Sequence, residues 1–184
     1  MTLPIEIEIW QGEVAELEVD AVIVPANESL FMTAPVAAAV KRRGGNQVET
    51  EAVAQGPVPA GSAVVTGGGQ LAAPYVIHVV GVGHDLRRDP DQLRRAIDAA
   101  LDAAGHLSLR RIALGPIGVE RGVFPAAEAA EILLGAIADR ADSGGWTPES
   151  VVVAVTHADE LAEYQAALEA VATRAAALPP AESA

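Results

Sequence analysis

At 184 residues the chain has room for one domain that buries about 70% of its unfolded surface. Its 12 Lys and Arg against 25 Asp and Glu leave a formal charge of -13, which works against a nucleic-acid partner and an anionic membrane, both recognised by Lys and Arg on phosphates. The absence of Cys removes disulfides, thiolate metal sites and thiol nucleophiles together. With 51% hydrophobic but only 3% aromatic residues, the core must be built from Val, Ile, Leu and Ala, as suits an α/β protein. No run approaches the roughly 20 apolar residues of a membrane span. The acidic stretch from Met1 to Trp10 does not read as a signal peptide, so the cytoplasm is the expected location.

Ile5, Ile7 and Ile9 alternate with Glu6 and Glu8, the period of an edge strand with one solvated face. Ala21 to Val24 is apolar on both faces and stops at Pro25, as a strand covered on both sides would. A helix is expected over Thr33–Lys41, ended by Gly44-Gly45, and a second over Gln47–Gln55. Ser62–Thr66 and Tyr75–Val80 read as strands joined by a hairpin-like loop with Gly67-Gly68-Gly69. Leu93, Ile97, Ala100 and Leu101 set a helix over Asp91–Ala104, started by Asp89-Pro90 and stopped by Gly105. Arg111–Leu114 is a short buried strand, Pro125–Ala138 a helix, Ser150–Val155 a very apolar strand and Asp159–Ala175 the last helix. Residues 1–176 are expected to form one domain, with 177–184 a disordered tail. The alternation of strand and helix implies right-handed crossovers and a mostly parallel sheet with helices on both faces.

An open sheet of this kind binds ligands at the carboxyl ends of its strands. That rule selects Pro25 to Ser29, Gly81 to His84 and Gly115 to Gly122, which should share one rim. The last segment runs into a helix start at Phe124-Pro125, where backbone N–H groups and the helix dipole suit an anion, and Arg121 adds a positive charge. A tight turn explains the same glycines. Asn27 offers a donor and an acceptor to a ligand hydroxyl pair, and equally forms an Asx turn or cap. His78, inside a Val/Ile strand, reads as a satisfied core histidine rather than a general base. His84, His106 and His157 have no metal-ligand spacing, so neither a metal nor another cofactor is assigned. The Gly67 to Gly69 run lacks the Lys-Ser/Thr sequel of a Walker phosphate loop.

The order of these motifs resembles a macro domain. Glu8-Ile9-Trp10-Gln11-Gly12-Glu13-Val14 followed by Val19-Asp20-Ala21-Val22-Ile23-Val24-Pro25-Ala26-Asn27-Glu28-Ser29-Leu30 is similar to the family's "GDI" turn and "VDAIVNAANxxL". Gly61 to Thr66 resembles "GxAxxT", and Tyr75 to Gly81 resembles "VIHxVGP". Arg111 to Leu114 with Gly118, Gly122, Phe124 and Pro125 matches part of "IAFPxIxTGxxGFP". The resemblance implies a three-layer α/β/α sandwich with a mixed, mostly parallel sheet, binding ADP-ribose in a rim cleft and in some members hydrolysing ADP-ribosyl esters or O-acetyl-ADP-ribose. It implies ligand contacts from Glu13 and Val14 beside the adenine, Asn27 at the distal ribose, and Thr33, Ala34, Pro35 and Val36 at the first phosphate loop. Gly118, Val119, Glu120, Arg121, Gly122, Val123 and Phe124 would form the second. If the chain is hydrolytic, Asn27 is the catalytic candidate.

The departures bear on activity. Thr33-Ala34-Pro35 stands where the family has Gly-Gly-Gly, so one N–H is lost and Cβ atoms narrow the approach. Ala37 replaces the Asp frequent in hydrolytic members, and Thr156 and His157 replace the aromatic that stacks on adenine. Val119 and Glu120 replace Thr-Gly, directing a carboxylate at a diphosphate. Such a contact costs on the order of a few kcal/mol at an effective dielectric near 20, or about a hundredfold in affinity, unless Arg121 offsets it. Three functions follow: binding of ADP-ribose or a related nucleotide with little or no hydrolysis, hydrolysis of ADP-ribosyl or O-acetyl-ADP-ribose substrates, or a protein-interaction module whose cleft Phe31 or Met32 fills.

Overall fold

In a computed structural model, which describes residues 5–177, a six-stranded sheet is flanked by helices on both faces. The strands are β1 (Glu6–Gln11), β2 (Ala21–Pro25), β3 (Ser62–Gly67), β4 (Tyr75–Val80), β5 (Arg111–Leu114) and β6 (Ser150–Val155). Their spatial order is β1-β6-β5-β2-β4-β3. Every pair is parallel except β3 with β4, so the hairpin is the one antiparallel element of a mixed, mostly parallel sheet. The helices are α1 (Pro35–Gly44), α2 (Asn46–Gln55), α3 (Pro90–His106), α4 (Ala126–Asp142) and α5 (Ala158–Ala177). Ala177 therefore closes a helix rather than opening the expected tail, and the remainder of that tail lies outside the described residues.

Period-two alternation explains the three layers. On β2, Ala21 and Ile23 join the core beneath α3, α4 and α5, whereas Val22 and Val24 join the one beneath α1 and α2. All five β2 residues are buried, as a central strand covered on both faces requires. β1 lies at the sheet edge and alternates exposed with half-buried positions. On α3, Leu93, Ala96, Ile97, Ala100, Leu101 and Ala104 are buried, one helical stripe whose alanines let the helix approach the sheet closely. The Asp89 side chain accepts the Gln92 N–H at 2.9 Å and Pro90 takes the first turn, so this start is both capped and pre-shaped.

Three of the rim segments leave the carboxyl ends of neighbouring strands β5, β2 and β4, which is the local geometry that builds a cleft. His78, at the centre of β4, is fully buried. Its Nε2 pairs with the Thr66 hydroxyl at 2.9 Å, and burial pushes its pKa down to about 4, as befits a neutral core group.

Candidate functional site

The β2–α1 connection begins with a turn held by Asn27. Its Oδ1 accepts the Ser29 N–H at 3.0 Å and its Nδ2 donates to the Phe31 carbonyl at 2.8 Å. Both ends of the carboxamide are thus engaged within the turn, the Asx geometry that an Asn after a strand readily forms. Glu49 of α2 then accepts the Met32 N–H at 2.8 Å, fixing the segment that leads into α1. Pro35 opens that helix after Ala34 in extended conformation. Pro35 has no N–H to offer, but the first-turn N–H groups of Val36 and Ala37 precede the first intrahelical bonds, and they carry the positive end of the helix dipole.

The β4–α3 connection is tied to this turn. Glu28 Oε2 accepts the His84 N–H at 2.7 Å and lies 3.2 Å from His84 Nδ1. The third wall is the β5–α4 connection, a loop containing a single 3-10 turn at Glu120–Gly122. Gly118 has φ 94° there, and a Cβ on it would stand 2.6 Å from the Leu93 side chain, so glycine serves both the backbone and the fit. Arg121 adopts φ 52°, a left-handed conformation rare for a residue with a side chain. Leu30 and Leu86, in the other two connections, share this property. Strained backbone gathered around one cleft is a feature of ligand-binding loops.

These three connections enclose a cavity of about 530 Å³ lined by Asn27, Thr33, Ala34, Pro35, Glu120 and Arg121 among others. That volume falls within the ordinary range for small-molecule sites, about 300–1,000 Å³. Two exposed apolar side chains stand at its wall, Phe31 at 50% and Leu86 at 41% exposure. Phe31 therefore borders the space without closing it, and Met32 is buried in the core. A second groove of about 680 Å³ lies among α3, α4 and α5, where no strand ends.

The remaining expected contacts sit elsewhere. Glu13 is exposed and Val14 is buried beneath the sheet, and neither lines this cavity. Val36 packs toward Gly115, where a Cβ would meet it at 2.5 Å. Gly118, Val119, Gly122 and Val123 belong to the same connection without lining the cavity, while Phe124 is buried and lies 5.9 Å beneath the Arg88 guanidinium. Sequence reasoning named the Gly81–His84 segment as rim but assigned it no contact; Val82, Gly83, His84 and Leu86 all line the cavity. The strand-end rule was the signal for the first three. Leu86 carried none.

Glu120 lines the cavity beside Arg121. Its Oε2 is buried without a hydrogen-bond partner. Burial is the chief cause that pushes the Glu120 pKa up to about 7.

Residues 23–133 match the family model described as Macro domain. Relatives include an uncharacterized protein of Mycobacterium tuberculosis, 35% identical over 72% of this chain and 37% of its own length. The match to a macro domain-containing protein of Cupriavidus necator is 35% identical over 71% and 79%. This chain thus spans little more than a third of the mycobacterial relatives. Among solved structures, the Trypanosoma brucei macrodomain in complex with ADP-ribose superimposes with a TM-score of 0.81 at 27% identity, covering 88% of this chain and 68% of that one. The macro domain of ganglioside induced differentiation associated protein 2 gives 0.82 at 28% identity, covering 92% and 85%. No helix among the described residues is long and apolar enough to cross a membrane. The strand order, the three rim loops and these matches agree: the chain belongs to the macro domain family.

Proposed function

We propose that this macro domain binds ADP-ribose or a related nucleotide in the cavity at the carboxyl ends of β2, β4 and β5, with little or no hydrolysis. The observation that carries the reading is the open volume of about 530 Å³ between the start of α1 and the Glu120–Gly122 loop. Those two elements supply backbone N–H groups to anions, and Arg121 at the same wall supplies a cation. The Trypanosoma brucei relative held ADP-ribose, which supports the same ligand class here. Phe31 and Leu86 offer apolar surface to a ring or an attached group.

Slow or absent turnover is supported by two features. The Asn27 carboxamide is spent on its own turn, so it has less capacity left to orient a ribose and a water. Ala37, where the resemblance places an acid in hydrolytic members, is buried and carries no titratable group. Isothermal titration calorimetry with ADP-ribose, ADP and NAD, paired with a deacetylation assay on O-acetyl-ADP-ribose, tests both parts. One site of heat with ADP-ribose and no acetate release above the blank is expected. Silence at millimolar ADP-ribose would reject the binding, and multiple turnover would reject the second part.

A further inference from the structure

Two apolar side chains are held out of the core at the cavity. Among the described residues, the exposed large hydrophobics are Phe31, Leu86 and Leu107, and the first two line this one space. Neither packs into any of the three hydrophobic clusters, so their exposure is not a by-product of core packing. Each is fixed by its own turn. The Phe31 carbonyl accepts from Asn27 Nδ2 at 2.8 Å and from the Thr33 N–H at 3.0 Å, while the fully buried Leu30 beside it takes φ 62°. The Leu86 N–H donates to the Gly83 carbonyl at 3.0 Å, with Leu86 itself at φ 54°. The contact of Glu28 with His84 joins the two turns. Left-handed backbone is strained at a leucine, and here it accompanies apolar surface left in water, which an apolar group of a ligand would cover.

The polar side chains that brace this pair are already engaged with backbone groups. Both ends of the Asn27 carboxamide are used, Glu28 Oε2 accepts the His84 N–H, and Asp85 Oδ1 accepts the Arg87 N–H at 3.2 Å. They offer little to the edge of a base, whose ring nitrogens and amino group need partners when buried. An alkyl chain makes no such demand. We propose that Phe31 and Leu86 are specificity residues that select a nucleotide whose terminal ribose carries an apolar acyl chain, over the free sugar and over acetyl. This rests on the reading that the cavity takes ADP-ribose or a related nucleotide, and it concerns binding alone, with no bond made or broken. Each methylene that the pair covers strengthens binding by about two- to fourfold, the larger figure applying to full burial.

The probes are ADP-ribose, NAD, and analogues of ADP-ribose with acetyl, butyryl or hexanoyl joined to the terminal ribose through an amide, so that turnover cannot intrude. Calorimetry on the wild type should show affinity rising along the acyl series, with hexanoyl roughly ten- to thirtyfold tighter than acetyl and the heat capacity of binding growing more negative with chain length. The readout is that ratio, not the absolute affinity. In Phe31→Ser/Leu86→Ser it should fall below about threefold, and Phe31→Leu, which keeps apolar surface, should retain most of it. Leu107→Ser, which removes an exposed leucine away from the cavity, should keep the wild-type ratio. A flat series in a wild type that binds ADP-ribose overturns the inference and leaves nucleotide binding standing. So does a ratio that survives the double serine variant, or NAD binding more tightly than the hexanoyl analogue, which would give the pair to a ring. No heat with any probe overturns the binding proposal, and this one with it. The wild-type series decides the matter even if the double variant folds poorly.

Discussion

The Glu28 carboxylate and His84 bind two walls of the cavity together: one oxygen accepts the His84 N–H at 2.7 Å and lies 3.2 Å from its Nδ1. A backbone N–H received by a charged group is a stronger anchor than a neutral bond, and this one is half-exposed, which places it near 1 kcal/mol. Removing the anchor frees the β4–α3 connection, which must then be ordered when ligand binds. Glu28→Ala is therefore expected to weaken ADP-ribose binding about fivefold, and Glu28→Gln, whose amide oxygen still accepts the N–H, about twofold or less. Equal losses in the two variants, measured by calorimetry, would locate the effect in charge rather than in loop anchoring.

Asn27 makes a second prediction. Asn27→Ala loses both bonds that close its turn and should lower stability by about 1–2 kcal/mol. It should also lower ADP-ribose affinity by roughly tenfold, because the turn carries the start of the cavity wall. Asn27→Asp retains an acceptor for Ser29 but sets an acceptor against the Phe31 carbonyl. Its melting temperature should fall between those of the wild type and Asn27→Ala. Calorimetric titration and thermal melts of the three proteins check the ordering, and a wild-type melt for Asn27→Ala contradicts it.

The strands were largely legible in the sequence because each is a short, continuous apolar run: Tyr75–Val80, Arg111–Leu114 and Ser150–Val155 match the structure residue for residue. Helix ends were not. The apolar period of α4 fades at Ala138, yet the helix continues to Asp142, where exposed ion pairs of Asp139 with Arg94 and of Arg140 with Asp102 replace burial. The 3-10 turns at Val14–Glu16 and Glu120–Gly122 are too short to leave a period. Within the site, strand ends pointed to Asn27 and Gly83, whereas the burial that shifts Glu120 comes from segments the fold packs around it. No local pattern records that.

His78 carries a pH prediction. Its folded pKa of about 4 lies below the ordinary value near 6.5, so the unfolded chain binds its proton first. Its contribution to stability is whole above pH 6.5 and is lost as the pH falls toward 4, a difference on the order of 3 kcal/mol. Glu120 has the opposite sign: with its folded value raised to about 7, it favours the folded state at low pH and withdraws that support as the pH rises from 4.5 through 7. The two nearly cancel between pH 4.5 and 6.5. Denaturant melts should show His78→Gln gaining on the wild type as pH drops, and Glu120→Gln gaining as pH rises. Parallel profiles for wild type and variants would refute the assignment.

Two glycines make a contrasting pair. Gly118→Ala places a Cβ at φ 94° and 2.6 Å from Leu93, and should cost about 1–3 kcal/mol while weakening ligand binding through the displaced loop. Gly135 lies within α4, where a Cβ would meet nothing within 4 Å. Gly135→Ala should stabilise by about 0.5–1 kcal/mol and leave ADP-ribose affinity unchanged. Urea denaturation of both variants measures the two signs.

The most direct test of the account is a map of backbone amide shifts as ADP-ribose is titrated into labelled protein. Shifts should concentrate at Asn27, Ala34, Val36, Gly83, Glu120 and Arg121, the three connections around the cavity. An undisturbed spectrum, or changes confined to the groove among α3, α4 and α5, would contradict it.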